Sequence, residues 1–371
     1  MEHVDLAVIG GGQAGLAAAY VACRAGLTPV ILEAGDEPVG SWPRYYDSLA
    51  LFSPARFSEL PGLRFAGDPG RYPTRDELIE YLRAYARRLD ADIRTGQRVL
   101  RVARADDRFA VVTESGLELT ADLAIAATGG FGAPHRPALP GLDSFAGTAI
   151  HSSEYRNPER YAGRRVVVVG GGDSAMQIAA ELAAVARVSI ATRAPLRFVP
   201  QRPLGRDLHW WLIRTGLDAA AFGPRLLGRR VVVDDGRHRA AIASGNPDAR
   251  ALFARLDGHD AVWSDGERER VDAVILATGY RPEVSYLHGT GALEGDAQPL
   301  HRRGVSSALP GLGYVGLEYQ RSYASATVGG VGRDAEYVIE RLIAQRKGSS
   351  EPARPLARGA LCRRCRLAFG R

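Results

Sequence analysis

The chain has 371 residues, 46% apolar and 24% charged, which suits a globular protein with a full core and a length that suggests two domains. Its net charge of +6 is carried almost wholly by arginine scattered among Asp and Glu; that argues against nucleic-acid binding and leaves room for an anionic cofactor. Three cysteines are too few for a disulfide framework, and no stretch approaches the ~20 apolar residues of a membrane span, so a cytoplasmic protein is expected.

The first predicted unit is a short strand, Leu6-Ala7-Val8-Ile9, a glycine-rich turn, Gly10-Gly11-Gly12-Gln13-Ala14-Gly15, and an Ala-rich helix. G-x-G-x-x-G between strand and helix is the context a dinucleotide needs. Gly10 allows the tight turn, Gly12 lets a pyrophosphate reach the backbone, and Gly15 lets helix and strand pack closely. The free N–H groups at the helix start favour phosphate. A second strand, Pro29-Val30-Ile31-Leu32, ends at Glu33, whose carboxylate would accept hydrogen bonds from ribose hydroxyls. Farther on, Glu77 to Tyr85 has helical spacing with Thr74 as N-cap, and reads as scaffold.

A later segment repeats the design. Arg165-Val166-Val167-Val168-Val169 is a buried-strand pattern followed by Gly170-Gly171-Gly172-Asp173-Ser174-Ala175, with Ala175 in the third glycine's place. The next strand, Val188 to Ala191, ends in Thr192-Arg193 rather than in an acid. A guanidinium pairs with a 2′-phosphate that a carboxylate would repel. That contact is worth about 1.5–3 kcal/mol, roughly tenfold to a hundredfold in favour of NADPH over NADH. The first turn is therefore expected to hold FAD and the second NADPH.

Two further strands, Ile125-Ala126-Ala127-Thr128-Gly129 and Ile275-Leu276-Ala277-Thr278-Gly279-Tyr280, end alike in Ala-Thr-Gly and bracket the second turn. Small residues there let the chain cross between domains beside a cofactor. An NADPH domain inserted in a FAD domain follows, in an α/β fold of two Rossmann-like, three-layer units. The expected division is 1–150 (FAD, first part), 151–278 (NADPH), 279–346 (FAD, return) and 347–371 (a flexible basic tail). The return runs through Gly311 to Gly316 and a closing helix near Arg333 to Gln345.

Between the first Ala-Thr-Gly and the second glycine turn lies Phe145-Ala146-Gly147-Thr148-Ala149-Ile150-His151-Ser152-Ser153-Glu154-Tyr155, which matches F-x-G-x-x-x-H-x-x-x-[Y/F]. With its flanking nucleotide turns, the chain resembles the flavin-containing monooxygenases, class B flavoprotein monooxygenases of the small bacterial type, over residues 4–345. Tyr155-Arg156 resembles the heteroatom-oxidising branch rather than Baeyer–Villiger relatives. The resemblance implies FAD and NADPH as cofactors, a C4a-hydroperoxyflavin, and oxygen transfer from O₂ to a sulfur or nitrogen of a small molecule. It implies for His151 a positioning role in the linker that responds to NADPH. Gly40-Ser41-Trp42 resembles a turn whose indole lies near the flavin. Ser48 to Pro54 and Tyr72-Pro73-Thr74-Arg75 resemble small bacterial members. Phe52 stands where many members carry an Asn near the flavin, a departure that removes one polar contact.

The expected catalytic residues are thus His151, Trp42 and Phe52. Cofactor contacts are expected from Gly10, Gly12, Gln13, Ala14, Gly15, Glu33, Ala34, Gly40, Trp42, Val99, Ala127, Thr128 and Gly129. On the nicotinamide side they are Gly170, Gly172, Asp173, Ser174, Ala175, Thr192, Arg193, Ala277, Thr278, Gly279 and Tyr280. No metal cluster is expected from the eight dispersed histidines. Trp210 and Trp211 read either as helix packing or as the wall of an access route or membrane contact. Cys362-Arg363-Arg364-Cys365 has redox spacing but sits in the tail, and Cys23 reads as core. The rival functions are a thioredoxin-reductase-like disulfide oxidoreductase, an NADPH oxidase, and a non-catalytic NADPH-sensing flavoprotein. Family habit implies a homodimer.

Overall fold

Both glycine turns sit where apolar strands hand over to helices in the computed structural model, which describes residues 2–220, 231–295, 298–346 and 348. Strand β1 (Glu2–Ile9), helix α1 (Gln13–Arg24) and strand β2 (Pro29–Leu32) form the first unit, with Val8 paired to Ile31 in parallel. Helix α1 is buried from Ala14 to Cys23, so an unbroken run of small and apolar residues suits it. Helix α2 (Arg75–Arg88) begins in a capping box: Glu77 N–H donates to the Thr74 hydroxyl, and Thr74 N–H donates to the Glu77 carboxylate at 2.9 Å. Strands β3 (Asp92–Arg94), β4 (Val99–Ala105), β5 (Arg108–Thr113) and β6 (Glu118–Ala126) follow. β3, β2, β1 and β6 lie side by side in parallel, and β4 and β5 continue the sheet beyond β6 as an antiparallel ribbon.

The second sheet uses β7 (Thr148–His151), β8 (Arg165–Val169), β9 (Arg187–Thr192), β12 (Asp248–Ala251) and β16 (Ala273–Leu276) in the order β12-β9-β8-β16-β7, every pair parallel. Between these run α3 (Asp173–Leu182), β10 (Phe198–Pro200), α4 (Leu208–Thr215), β11 (Val232–Asp234), α5 (Arg237–Ala243) and the antiparallel strands β13 (Arg255–Asp257), β14 (Asp260–Val262) and β15 (Arg268–Arg270). β7 pairs with β16 on both sides of residue 150, where the sequence places a boundary. The chain then returns through β17 (Leu293–Glu294), β18 (Gln298–Pro299), β19 (His301–Arg302) and β20 (Val305–Ser306) to β21 (Leu312–Tyr314), which joins β6 in parallel at Gly313↔Ile125. Helix α6 (Val331–Arg346) closes the first sheet against α1.

Apolar residues cover both faces of each sheet. Along β1, Leu6 and Val8 enter one core while Ala7 and Ile9 enter the opposite one; along β8, Val166 and Val168 part in the same way from Val167 and Val169. Burial on both faces is what near-continuous apolar strands require of a parallel sheet. The fold is α/β with two such units, as the sequence pattern predicts. No helix among the described residues is long and apolar enough to cross a membrane.

Candidate functional site

At the first turn, Gly10 has φ +104°, and a Cβ on it would lie 2.7 Å from the Ala127 carbonyl oxygen. A Cβ on Gly15 would lie 1.8 Å from the Gly10 carbonyl oxygen, and one on Gly40 would lie 2.8 Å from Gly12 Cα. Side chains are thus excluded where backbone meets backbone. Gly12 caps α1 without a side-chain hydrogen bond, so the N–H groups of its first turn stay available to an anion, next to Gln13 and Ala14. Glu33 is buried at the end of β2, where its carboxylate accepts Gly11 N–H at 2.6 Å and Gly35 N–H at 2.7 Å. Each oxygen keeps a lone pair for a hydroxyl. Ala34 is exposed beside it, and Val99 is buried under the same strand ends. This cradle fits the pyrophosphate and ribose of FAD.

The second turn repeats the steric logic. A Cβ on Gly170 would lie 2.3 Å from the Ala277 carbonyl oxygen, and Gly172 caps α3 with no side-chain hydrogen bond. The Cβ of Ala175 is tolerated at 3.3 Å from the Cβ position of Gly170. Asp173 turns one oxygen to Val233 N–H at 3.1 Å, and burial pushes its carboxyl up to about 6. Ser174 lies against Tyr46. Thr192 closes β9, and Arg193 is exposed beyond it with no ion pair among the described residues. An unpaired cation at this strand end fits the 2′-phosphate of NADPH.

Each Ala-Thr-Gly strand end binds the linker that follows the other. Ala127 N–H donates to Ile9 O at 2.9 Å, and Ala277 N–H donates to Val169 O at 2.8 Å, equivalent bonds in the two sheets. The Thr128 hydroxyl donates to the Glu283 carbonyl, and the Thr278 hydroxyl donates to the His135 carbonyl. Between them, Glu283 N–H bonds Gly129 O and His135 N–H bonds Gly279 O, both at 2.8 Å. The two crossings are therefore one reciprocal joint, turned at Gly129 (φ +67°) and Gly279 (φ +84°).

His151 is fully buried at the end of β7. Its Nδ1 accepts Ser153 N–H at 3.1 Å, which leaves Nε2 to carry the proton and donate to Gly279 O at 3.1 Å. Burial holds the imidazole below its usual range and therefore neutral, a state suited to holding the joint. Tyr280 stands edge-on to it at 5.0 Å. From there an aromatic seam runs through Phe131 and Tyr45 to Trp42, with centroid spacings of 5.4, 4.6 and 5.3 Å. Trp42 Nε1–H donates to the Gln13 side chain at 2.9 Å, tying the indole to the first helix start. Phe131 and Tyr45 carry no motif, and sequence reading missed them.

Phe52 stacks on His209 at 5.7 Å, and its carbonyl accepts from Gln201 at 3.1 Å. Trp211 donates to Pro203 O at 2.9 Å and packs edge-on against Trp210, over which Arg206 lies at 4.6 Å, so both indoles are used in local packing of α4. Cys23 is buried, its thiol donating to Asp90 O at 3.1 Å. Cys362 and Cys365 lie outside the described residues. No cluster of metal-ligating side chains occurs among the described residues.

Residues 7–204 match the model of the family described as pyridine nucleotide-disulphide oxidoreductase. An uncharacterized oxidoreductase of Geobacillus kaustophilus, CzcO-like, is 32% identical over 92% of this chain and 99% of its own length. The rice indole-3-pyruvate monooxygenase YUCCA1 is 32% identical over 77% of this chain and 79% of its own. The solved flavin-containing monooxygenase of Stenotrophomonas maltophilia superposes with a TM-score of 0.82 at 35% identity, covering 93% of this chain and 99% of that one.

Proposed function

Because this chain belongs to the pyridine nucleotide-disulphide oxidoreductases, and within them to the flavin monooxygenases that use FAD and NADPH, we propose that it oxygenates a sulfur or nitrogen of a small molecule. The observation that carries this reading is the pair of uncapped glycine turns joined by one crossing, at which Thr128 and Thr278 bind each other's linkers. We assign FAD to the turn at Gly10–Gly15 with Glu33 on the ribose, and NADPH to the turn at Gly170–Ala175 with Arg193 on the 2′-phosphate. The corresponding division follows the two sheets, β1 to β6 with the return segment 279–346 for FAD and β7 to β16 for NADPH, so the first boundary falls before Thr148 and not at residue 150.

Bound FAD supplies hydride acceptance and activation of O₂. The protein's share is placement and exclusion of water. The first turns of α1 and α3 would hold the phosphates, Trp42 fixes Gln13 at the first turn, and neutral His151 holds Gly279 at the crossing between the two turns. Tyr280, Phe131 and Tyr45 make that crossing apolar, which protects a reactive flavin from water.

The test is incubation of the purified protein with NADPH and methyl p-tolyl sulfide under ¹⁸O₂. Sulfoxide carrying ¹⁸O is the expected product. NADPH oxidation that yields only H₂O₂ would reject oxygen transfer. A second reading, an NADPH oxidase, draws on Phe52: with its ring on His209, this position offers the flavin no side-chain amide.

A further inference from the structure

One buried polar cluster is used by none of these steps. Asp207, 6% exposed, caps α4 by accepting His209 N–H at 2.8 Å. The same carboxylate also accepts His209 Nδ1–H at 3.0 Å, the Tyr72 hydroxyl at 2.5 Å and Gln201 Nε2–H at 3.1 Å. A helix cap needs only the first of these bonds. The others draw in Tyr72 from the loop before α2 and, through Gln201, the carbonyl of Phe52. Burial opposes ionisation, yet the bonds from His209, Tyr72 and Gln201 hold the carboxyl below its usual range.

In a neutral imidazole, an ionised acceptor on Nδ1 fixes the proton there and leaves Nε2 of His209 as an acceptor. That nitrogen has no partner among the described residues. The ring is stacked against Phe52 and Phe57, at 5.7 and 6.5 Å. His209 also acts on the carboxyl of Asp173 at the head of α3. His209 therefore lies near both the loop that carries Phe52 and the second glycine turn.

We propose that Asp207 and His209 form a substrate-positioning pair, in which His209 Nε2 accepts a hydrogen bond from an O–H or N–H of a small aromatic substrate lying against Phe52. The proposal rests on the oxygenating reading above. Asp207 acts through His209 and is a positioning residue.

Two measurements on the oxidised, FAD-loaded protein test it without turnover. In ¹⁵N-detected imidazole spectra, assigned with His209→Gln, His209 is expected as the Nδ1–H tautomer; an Nε2–H tautomer would overturn the pair. By calorimetry, 4-hydroxythioanisole is expected to bind about tenfold tighter than thioanisole, a difference of one hydrogen bond. In His209→Ala the two sulfides should bind equally, with His209→Gln, whose amide oxygen can accept the same bond, regaining part of the preference. Equal binding by the wild-type protein, or a preference that survives in His209→Ala, would overturn the proposal. Failure of the oxygenating reading is separate: it appears as H₂O₂ without sulfoxide, while tautomer and binding stay measurable.

Discussion

The residue at the third glycine position of each turn, Gly15 in the first and Ala175 in the second, decides how close helix and strand come. A methyl at Gly15 would lie 1.8 Å from the Gly10 carbonyl oxygen, a backbone atom that cannot swing aside. Gly15→Ala is therefore expected to lose about 1–3 kcal/mol of stability and to be purified with little FAD, read from the melting temperature and the flavin-to-protein absorbance ratio. Ala175→Gly, at the looser second turn, should change either measurement little. Arg193 makes the companion case for charge. Exposed and without an ion pair among the described residues, it is free for a 2′-phosphate. Arg193→Gln should cut the preference for NADPH over NADH, as kcat/KM, by roughly tenfold to a hundredfold. An unchanged ratio would move the phosphate contact elsewhere. Both residues were legible in the sequence, because glycine spacing and the charge at a strand end are local properties.

Elements reveal what local spacing hides. Strand β8 begins with Arg165, whose guanidinium bonds both oxygens of Glu269 on β15 at 2.8 Å, while Arg187, Arg250 and Trp263 reach the same carboxylate. Arg165 holds the Glu269 carboxyl below its usual value of 4.5, so its contribution to stability is full above that pH and is lost as the pH falls. Glu269→Gln strands a buried arginine and should destabilise by about 3 kcal/mol at neutral pH, shrinking toward zero in acid. Urea midpoints at pH 7 and pH 4 would show the difference, and a deficit equal at both would refute the ion pair's role. The Thr74 cap of α2 was readable as a four-residue pattern. The Glu269 hub and the Tyr72–Asp207 bond were not, because their partners lie far apart in the chain and meet only through sheet order and loop packing.

At the scale of the whole molecule, the described residues form one mixed sheet with a parallel centre and one parallel sheet, joined by one reciprocal crossing. Sequence alone showed two Ala-Thr-Gly strand ends bracketing the second turn. That each threonine binds the other's linker needed the third dimension, as did the aromatic seam from Trp42 to His151. Thr128→Val and Thr278→Val should each cost about 1 kcal/mol. Together they should slow flavin reduction by NADPH on the order of ten- to a hundredfold, as a misplaced hydride donor does. Reduction at the wild-type rate in the double variant would make the crossing a matter of packing alone.

The most direct test of oxygen transfer is a single turnover. The FAD-loaded protein is reduced with NADPH without oxygen, then mixed with oxygenated buffer while flavin absorbance and H₂O₂ are followed. The account predicts a return of the oxidised flavin spectrum delayed by seconds, with H₂O₂ well below one equivalent when a sulfide is present. Immediate return with one equivalent of H₂O₂, sulfide or not, would contradict it.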